Sequence, residues 1–274
     1  MKKIAIIVNR NKDKDLAVTK RLINILSGKA QICMDNEYSQ SEVTGVDFCD
    51  NVYEKADAVI VLGGDGTILQ AAEPCADRDI PIMGINLGRI GFMTEIEVRD
   101  MENAVARLLS GDYKIEQRMM MKICVGEECE YYALNDAVIS KIGAAMISLE
   151  LYSEEEKINE YMADGVIIST ATGSTGYSLS AGGPVADPCM EIFIASPICA
   201  HMLSSRTAVF SADKKMRIVL TEKGSGSAEV TIDGNVTSRL YKGEGIEITK
   251  ADKKVKLIKM GGQSFYDVLT NKLS

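Results

Sequence analysis

The sequence predicts an α/β N-terminal domain on a doubly wound, Rossmann-like parallel sheet, followed by a mostly β, sandwich-like C-terminal domain. Three observations predict it. Strand-like and helix-like stretches alternate as far as Gly111, short strand-like stretches dominate from Lys114 onward, and a glycine cluster ends the aliphatic run in VIVLGGDGTIL, residues 59–69. Alternating strands and helices imply a parallel sheet. Turn signals every eight to twelve residues or so imply an all-β second half.

The elements follow in order. KKIAIIVN is a short aliphatic strand, and DKDLAVTKRLINILSG follows with apolar residues at helical spacing (Leu16, Val18, Leu22, Ile23, Ile25) before a stop at Gly28. ADAVIVLGGDG is a second buried strand, TILQAAEPC starts a helix, IPIMGIN is a strand after a proline, and VRDMENAVARLLSGDY is an amphipathic helix ending at Gly111. RMMMKICV, ECEYYALNDAVISK, MISLELYS, KINEYMADGVIIST, KMRIVLT, SAEVTID and VKLIKM then read as strands, and SFYDVLTNKLS as a closing helix. The expected division is an α/β domain at 1–115 and a mostly β domain at 116–257, with about 258–274 packing back on the first.

The chain of 274 residues carries 31 basic and 39 acidic side chains, a net charge of -8, which disfavours nucleic acid as a partner. No apolar run approaches the roughly 20 residues needed to cross a bilayer, so no membrane association is expected. In MKKIAIIVNR two lysines are followed by a run of only five apolar residues before Asn9, short of a signal-peptide core of about 7 to 15 residues. Seven scattered cysteines, an odd number, fit reduced thiols, and the expected location is the cytoplasm. The compact pair in CVGEEC, Cys124 and Cys129, lacks further ligands nearby for a zinc site, and His201 is the sole histidine.

Two clusters point to a ligand. In LGGDGT the glycines stand at the carboxyl end of a predicted parallel strand, where doubly wound proteins bind ligands. There they would let the backbone take positive φ and offer N–H groups to phosphate oxygens, leaving Asp65 exposed in the turn. The same residues also make a plain Asp-Gly turn, and they lack the lysine of a P-loop. The second cluster, ADGVIISTATGSTGYSLSAGGPVADP at 163–188, is dense in glycine, serine and threonine. It suits a loop lining a polar ligand, with Thr172, Ser174 and Thr175 as donors and Tyr177 as a face or hydroxyl.

GGDGT, NLGRIGFMTE, LNDAVI, ADGVIISTATGSTGYSLSAGGPV, SPICAHMLSSRTAVF and VTIDG together resemble the NAD kinase family, in order and near its spacing, from residue 59 to about 234. GGDGT alone would be shared with diacylglycerol, sphingosine and phosphofructokinase relatives; the later blocks are similar to NAD kinases only. The resemblance implies an enzyme moving the γ-phosphoryl of ATP, or in some members of polyphosphate, to the 2′-hydroxyl of the adenosine ribose of NAD. It implies Asp65 as the proton acceptor, with Gly64 and Gly66 beside it and Leu69 and Phe92 as apolar lining. Asn135 and Asp136 match the family's Asn-Glu pair on ribose hydroxyls and adenine, with the acid one methylene shorter. Asp164 matches the aspartate towards the nicotinamide, and Thr175, Gly176, Tyr177 and Ser180 match positions around adenine.

The resemblance further implies Mg²⁺ carried by phosphates rather than by protein side chains, and a homodimer or homotetramer. Ala171 and Ala200 stand where proline is usual, and Met162 where a basic residue is common. His201 aligns with a family histidine and is read as a satisfied structural residue. Two other readings are a non-catalytic NAD(P) sensor and a lipid or sugar kinase sharing GGDGT alone. The sensor has no need of Asp65, and the second leaves 163–188 unexplained.

Overall fold

A computed structural model describes residues 1–126, 129–201, 206–223, 226–262 and 264–273. Positions 202–205 of the segment SPICAHMLSSRTAVF lie outside the described residues, as does the Cys129 side chain of CVGEEC. The chain divides into two compact units, residues 1–117 with 255–274 and residues 118–254.

In the first unit the elements are β1 (Lys3–Val8), α1 (Ala17–Leu26), β2 (Gln31–Asp35), β3 (Asp47–Cys49), β4 (Ala58–Gly63), α2 (Asp65–Ala76), β5 (Ile82–Asn86), β6 (Ile96–Glu97) and α3 (Met101–Ser110). The strands are parallel in the order β5-β4-β1-β2-β3, with β6 beside β5. Ile4, Ile6, Ile60 and Leu62 pack with Leu22 and Leu26 of α1 and Val105 and Leu108 of α3 on one face. Gly84 of β5 opens the other face to α2, since a Cβ there would stand 2.8 Å from Ile68 Cδ1. Helices therefore cover both faces, as the sequence predicts. The order reverses between β1 and β4, and this is where such sheets bind ligands. α1 stops at Leu26, with Ser27 in an extended conformation, and α3 ends on Gly111 at φ 82°, a conformation glycine adopts without strain.

The second unit is antiparallel. Its strands are β7 (Lys114–Val125, entering from the first unit), β8 (Cys129–Ala133), β9 (Asp136–Lys141), β10 (Ile147–Ser153), β11 (Glu156–Ala163), β12 (Gly165–Thr170), β13 (Ile192–Ile198), β14 (Ala208–Ser211), β15 (Met216–Leu220), β16 (Ala228–Ile232), β17 (Asn235–Leu240) and β18 (Gly245–Lys259). One sheet runs β14-β13-β12-β9-β16-β17; the other includes β11-β10-β15-β18. Leu149, Ile218 and Ile246 from one sheet meet Val166, Ile168, Phe193 and Val230 from the other, giving a sandwich core. The stretch predicted as one strand, KINEYMADGVIIST, breaks at Asp164: β11 joins one sheet and β12 the other, so the chain turns a corner there. ECEYYALNDAVISK likewise breaks at Leu134 and Asn135.

The last part of β18 returns to the first unit, where Leu257 pairs with Ile82, and α5 (Phe265–Leu273) follows. Among the described residues no helix is long and apolar enough to cross a membrane.

Candidate functional site

In the first unit, β4 ends at Gly63 and α2 begins at Asp65, with Gly64 as its N-cap. Asp65 is half-buried rather than exposed, which corrects the expectation of a free turn carboxylate. Its Oδ2 accepts the N–H of Phe92 at 2.7 Å, and its Oδ1 accepts the N–H groups of Met93 and Thr94 at 3.0 and 3.1 Å and the Thr94 hydroxyl at 3.1 Å. The carboxylate thus anchors the 91–94 loop. Leu69, one helical turn on, shares the Asp65 face of α2. Phe92 packs on Phe265 at a centroid separation of 5.6 Å, with Lys272 Nζ 4.6 Å from its ring.

The glycines serve close approach, not a left-handed turn. None of Gly63, Gly64 and Gly66 has positive φ. A Cβ on Gly63 would stand 2.7 Å from Thr67 Cβ, and one on Gly64 would stand 2.9 Å from Lys12 Nζ, while Gly66 faces open space. Asn9, just past β1, donates to the Thr67 hydroxyl at 3.2 Å. The first turn of α2, with its unpaired N–H groups and partial positive charge, therefore lies at the reversal point of the sheet with a lysine beside it. Lys12 escaped the sequence reading because NRNKDKD offers nothing to set it apart from its solvated neighbours.

In the second unit, β12 runs into a 3-10 turn at Thr172–Thr175 and a short helix, α4 (Tyr177–Ser180). Gly173 lies against Asn135: a Cβ there would stand 2.9 Å from the Asn135 Cα and collide with its carbonyl. Thr170 fastens the contact, its N–H donating to Asn135 O at 2.8 Å and its hydroxyl to Leu134 O at 2.6 Å. A Cβ on Gly176 would lie 3.8 Å from both Asn135 Nδ2 and Asp136 Oδ2. The structure therefore brings Asn135, Asp136, Thr175 and Gly176 together, with Tyr177 and Ser180 exposed just beyond.

Thr172 and Ser174 are not outward donors as predicted. Thr172 is buried and accepts from Arg118, itself fully buried, at 3.3 Å; Ser174 is buried and accepts the Ala186 N–H at 3.1 Å. Both hold the turn from behind.

Burial pushes the Asp136 carboxyl up to about 7, with the nearby negative charge of Asp233 as the second cause. Asn135 Oδ1 is buried without a hydrogen-bond partner, an uncommon state for a buried amide oxygen. Asp164 stands apart from this group. It follows β11 at the far end of β12, about 17 Å along the strand at a usual rise, and pairs with Lys141 Nζ at 2.6 Å. His201 is exposed, not packed, and its backbone N–H donates to Met162 O at 2.9 Å. Ala171 packs with Ala186 and Ile194, and Ala200 is half-buried against the sandwich core.

The helix N-terminus at the sheet reversal of the first unit is the kind of place where α/β proteins bind nucleotide phosphates, so the fold is of a nucleotide-binding class. Residues 4–113 match the ATP-NAD kinase N-terminal domain and 134–260 the ATP-NAD kinase C-terminal domain. The NAD kinase of Lachnoclostridium phytofermentans is 39% identical, with 99% of each chain covered. That of Caldanaerobacter subterraneus subsp. tengcongensis is 39% identical over 100% of this chain and 99% of its own. Among solved structures, yeast NADH kinase complexed with NADH matches with a TM-score of 0.87 at 20% identity, over 100% of this chain and 87% of that one. The chain belongs to the NAD kinase family. The match across both halves leaves a lipid or sugar kinase sharing GGDGT alone unsupported.

Proposed function

We propose that this chain transfers the γ-phosphoryl of ATP to the 2′-hydroxyl of the adenosine ribose of NAD, forming NADP. The observation that carries the reading is Asp65, fixed in the first turn of α2 with acceptor capacity left. A carboxylate has about four lone-pair positions. Oδ1 takes three donors and Oδ2 takes one, so Oδ2 can still accept from a substrate hydroxyl. Phosphoryl transfer depends mainly on positioning and charge stabilisation, and a carboxylate oriented in this way receives the nucleophile's proton as the bond to phosphorus forms.

The N-terminal turn of α2, Gly64, Gly66 and Lys12 supply N–H groups and positive charge for phosphate oxygens, while Leu69 and Phe92 give an apolar border. Asn135 offers its unsatisfied Oδ1 and Asp136 its carboxyl to adenosine hydroxyls and base edges. Thr175, Gly176, Tyr177 and Ser180 line the base, and Asp164, one strand length away, suits the other end of an extended dinucleotide. A Mg²⁺ accompanying ATP would be carried by phosphate oxygens, where it would supply charge neutralisation. We further propose that the chain acts in the cytoplasm as a homodimer or homotetramer.

Purified protein incubated with NAD, Mg²⁺ and either ATP or polyphosphate, and assayed for NADP, tests the reading. ATP-dependent NADP formation supports it. Dinucleotide binding without turnover on either donor would make the chain a sensor instead.

A further inference from the structure

One carboxylate gathers the whole 134–136 turn. Asp233 Oδ2 accepts the N–H of Leu134 at 2.8 Å, and its Oδ1 accepts those of Asn135 and Asp136 at 2.9 and 3.0 Å. Asp233 returns its own N–H to Asp136 O at 3.0 Å. Asp233 and Gly234 form the two-residue turn of the β16–β17 hairpin, with φ of 44° and 82°, the left-handed pair that Asp-Gly supplies readily. β16 pairs with β9 so that Ile232 faces Ala137. The hairpin therefore delivers this carboxylate to the first residue of β9.

We propose that Asp233 is a positioning residue for dinucleotide binding: it fixes the backbone from which Asn135 and Asp136 project, and so sets affinity for NAD and not for ATP. The proposal rests on reading Asn135 and Asp136 as dinucleotide contacts. Three parallel N–H donors on one carboxylate hold a turn far more firmly than neutral partners would; without them the turn keeps the Thr170 bonds to Asn135 O and Leu134 O, the Asp233 N–H on Asp136 O and the Gly173 contact. Asp233 also faces Asp136 as a negative charge. Two uncharged residues also lie against Asp136, Ser169 from β12 and Gly176 at the end of the 3-10 turn. Removing the charge of Asp233 eases ionisation of Asp136.

The test is steady-state kinetics of the full chain with NAD and ATP varied separately, for wild type, Asp233→Ala, Asp233→Asn and Asn135→Ala, from about pH 5.5 to 9, a range that spans the Asp136 titration. Asp233→Ala is expected to raise KM for NAD about tenfold or more while KM for ATP moves less than about twofold. Asp233→Asn keeps the left-handed turn and one acceptor oxygen. It should recover part of the loss and move the midpoint of the KM(NAD) pH profile downwards. If the Ala variant fails to fold, the Asn variant decides by that pH shift. Unchanged KM(NAD) and pH profile in the Asp233 variants, with Asn135→Ala impaired, would overturn the proposal, as would equal changes in both KM values. Should Asn135→Ala leave KM(NAD) unchanged, the underlying site reading fails and the proposal with it.

Discussion

Gly91 and Asp65 stand so close that no side chain fits between them: a Cβ on Gly91 would lie 2.6 Å from Asp65 Oδ2 and closer still to Oδ1. Gly91 is buried, and the next three residues donate to the same carboxylate. The loop and the proposed proton acceptor are one unit of structure.

Gly91→Ala should therefore damage catalysis more than folding. The added methyl must push the loop or the carboxylate aside, an overpacking cost of about 1–3 kcal/mol. The expected result is a kcat lowered by about tenfold or more, given the sensitivity of transfer to small misplacements, with a cooperative melt retained. Thermal denaturation and kcat measured on the same preparation check this.

Gly173→Ala is expected to act on the second unit instead. Its Cβ would strike the Asn135 carbonyl, so either the 3-10 turn or Asn135 must shift. KM for NAD should rise while KM for ATP stays near the wild-type value, which separate titrations of the two substrates would show.

Asp136 predicts a pH effect on stability. In the folded chain its carboxyl is pushed up to about 7, against 3.8 for an ordinary aspartate. Between those values the folded chain holds more protons than the unfolded one, so this residue's contribution to stability falls as pH rises. Asp136→Asn should flatten that part of the profile, and Tm measured at intervals between about pH 4 and 8 reports it.

Phe265→Ala should loosen the 91–94 loop at Phe92. Phe265 packs on Phe92, which also lies under Lys272. A loss of about 1 kcal/mol or more is expected from the aromatic pair and its buried area. Faster amide exchange at residues 92–94 would localise the effect.

Much of this was legible in the sequence, for reasons that particular residues show. The alternation from Lys3 to Gly111 gave the doubly wound sheet because aliphatic runs such as Ala58–Leu62 are buried on both faces and helices must cover them. The clusters at 63–67 and 163–188 stood out because regular structure disfavours their composition. Long-range partners were not legible. The Asp65 carboxylate bonds residues 27 to 29 positions away, and Asp233 bonds residues 97 to 99 positions away. No local pattern encodes those pairings. Thr172 and Ser174 were misplaced because a hydroxyl looks the same in sequence whether it faces a ligand or satisfies the backbone behind it. The corner at Asp164 was hidden by apolar residues on both sides, which read as one strand.

Asp65→Asn tests the central claim most directly, with kcat and KM for NAD measured beside the wild type. The asparagine keeps Oδ1 for Met93 and Thr94 but cannot take a proton. If Asp65 receives the proton of the ribose hydroxyl, kcat should fall by about a hundredfold or more while KM for NAD changes little and the melt stays cooperative. An Asp65→Asn enzyme that forms NADP at the wild-type rate would contradict the account.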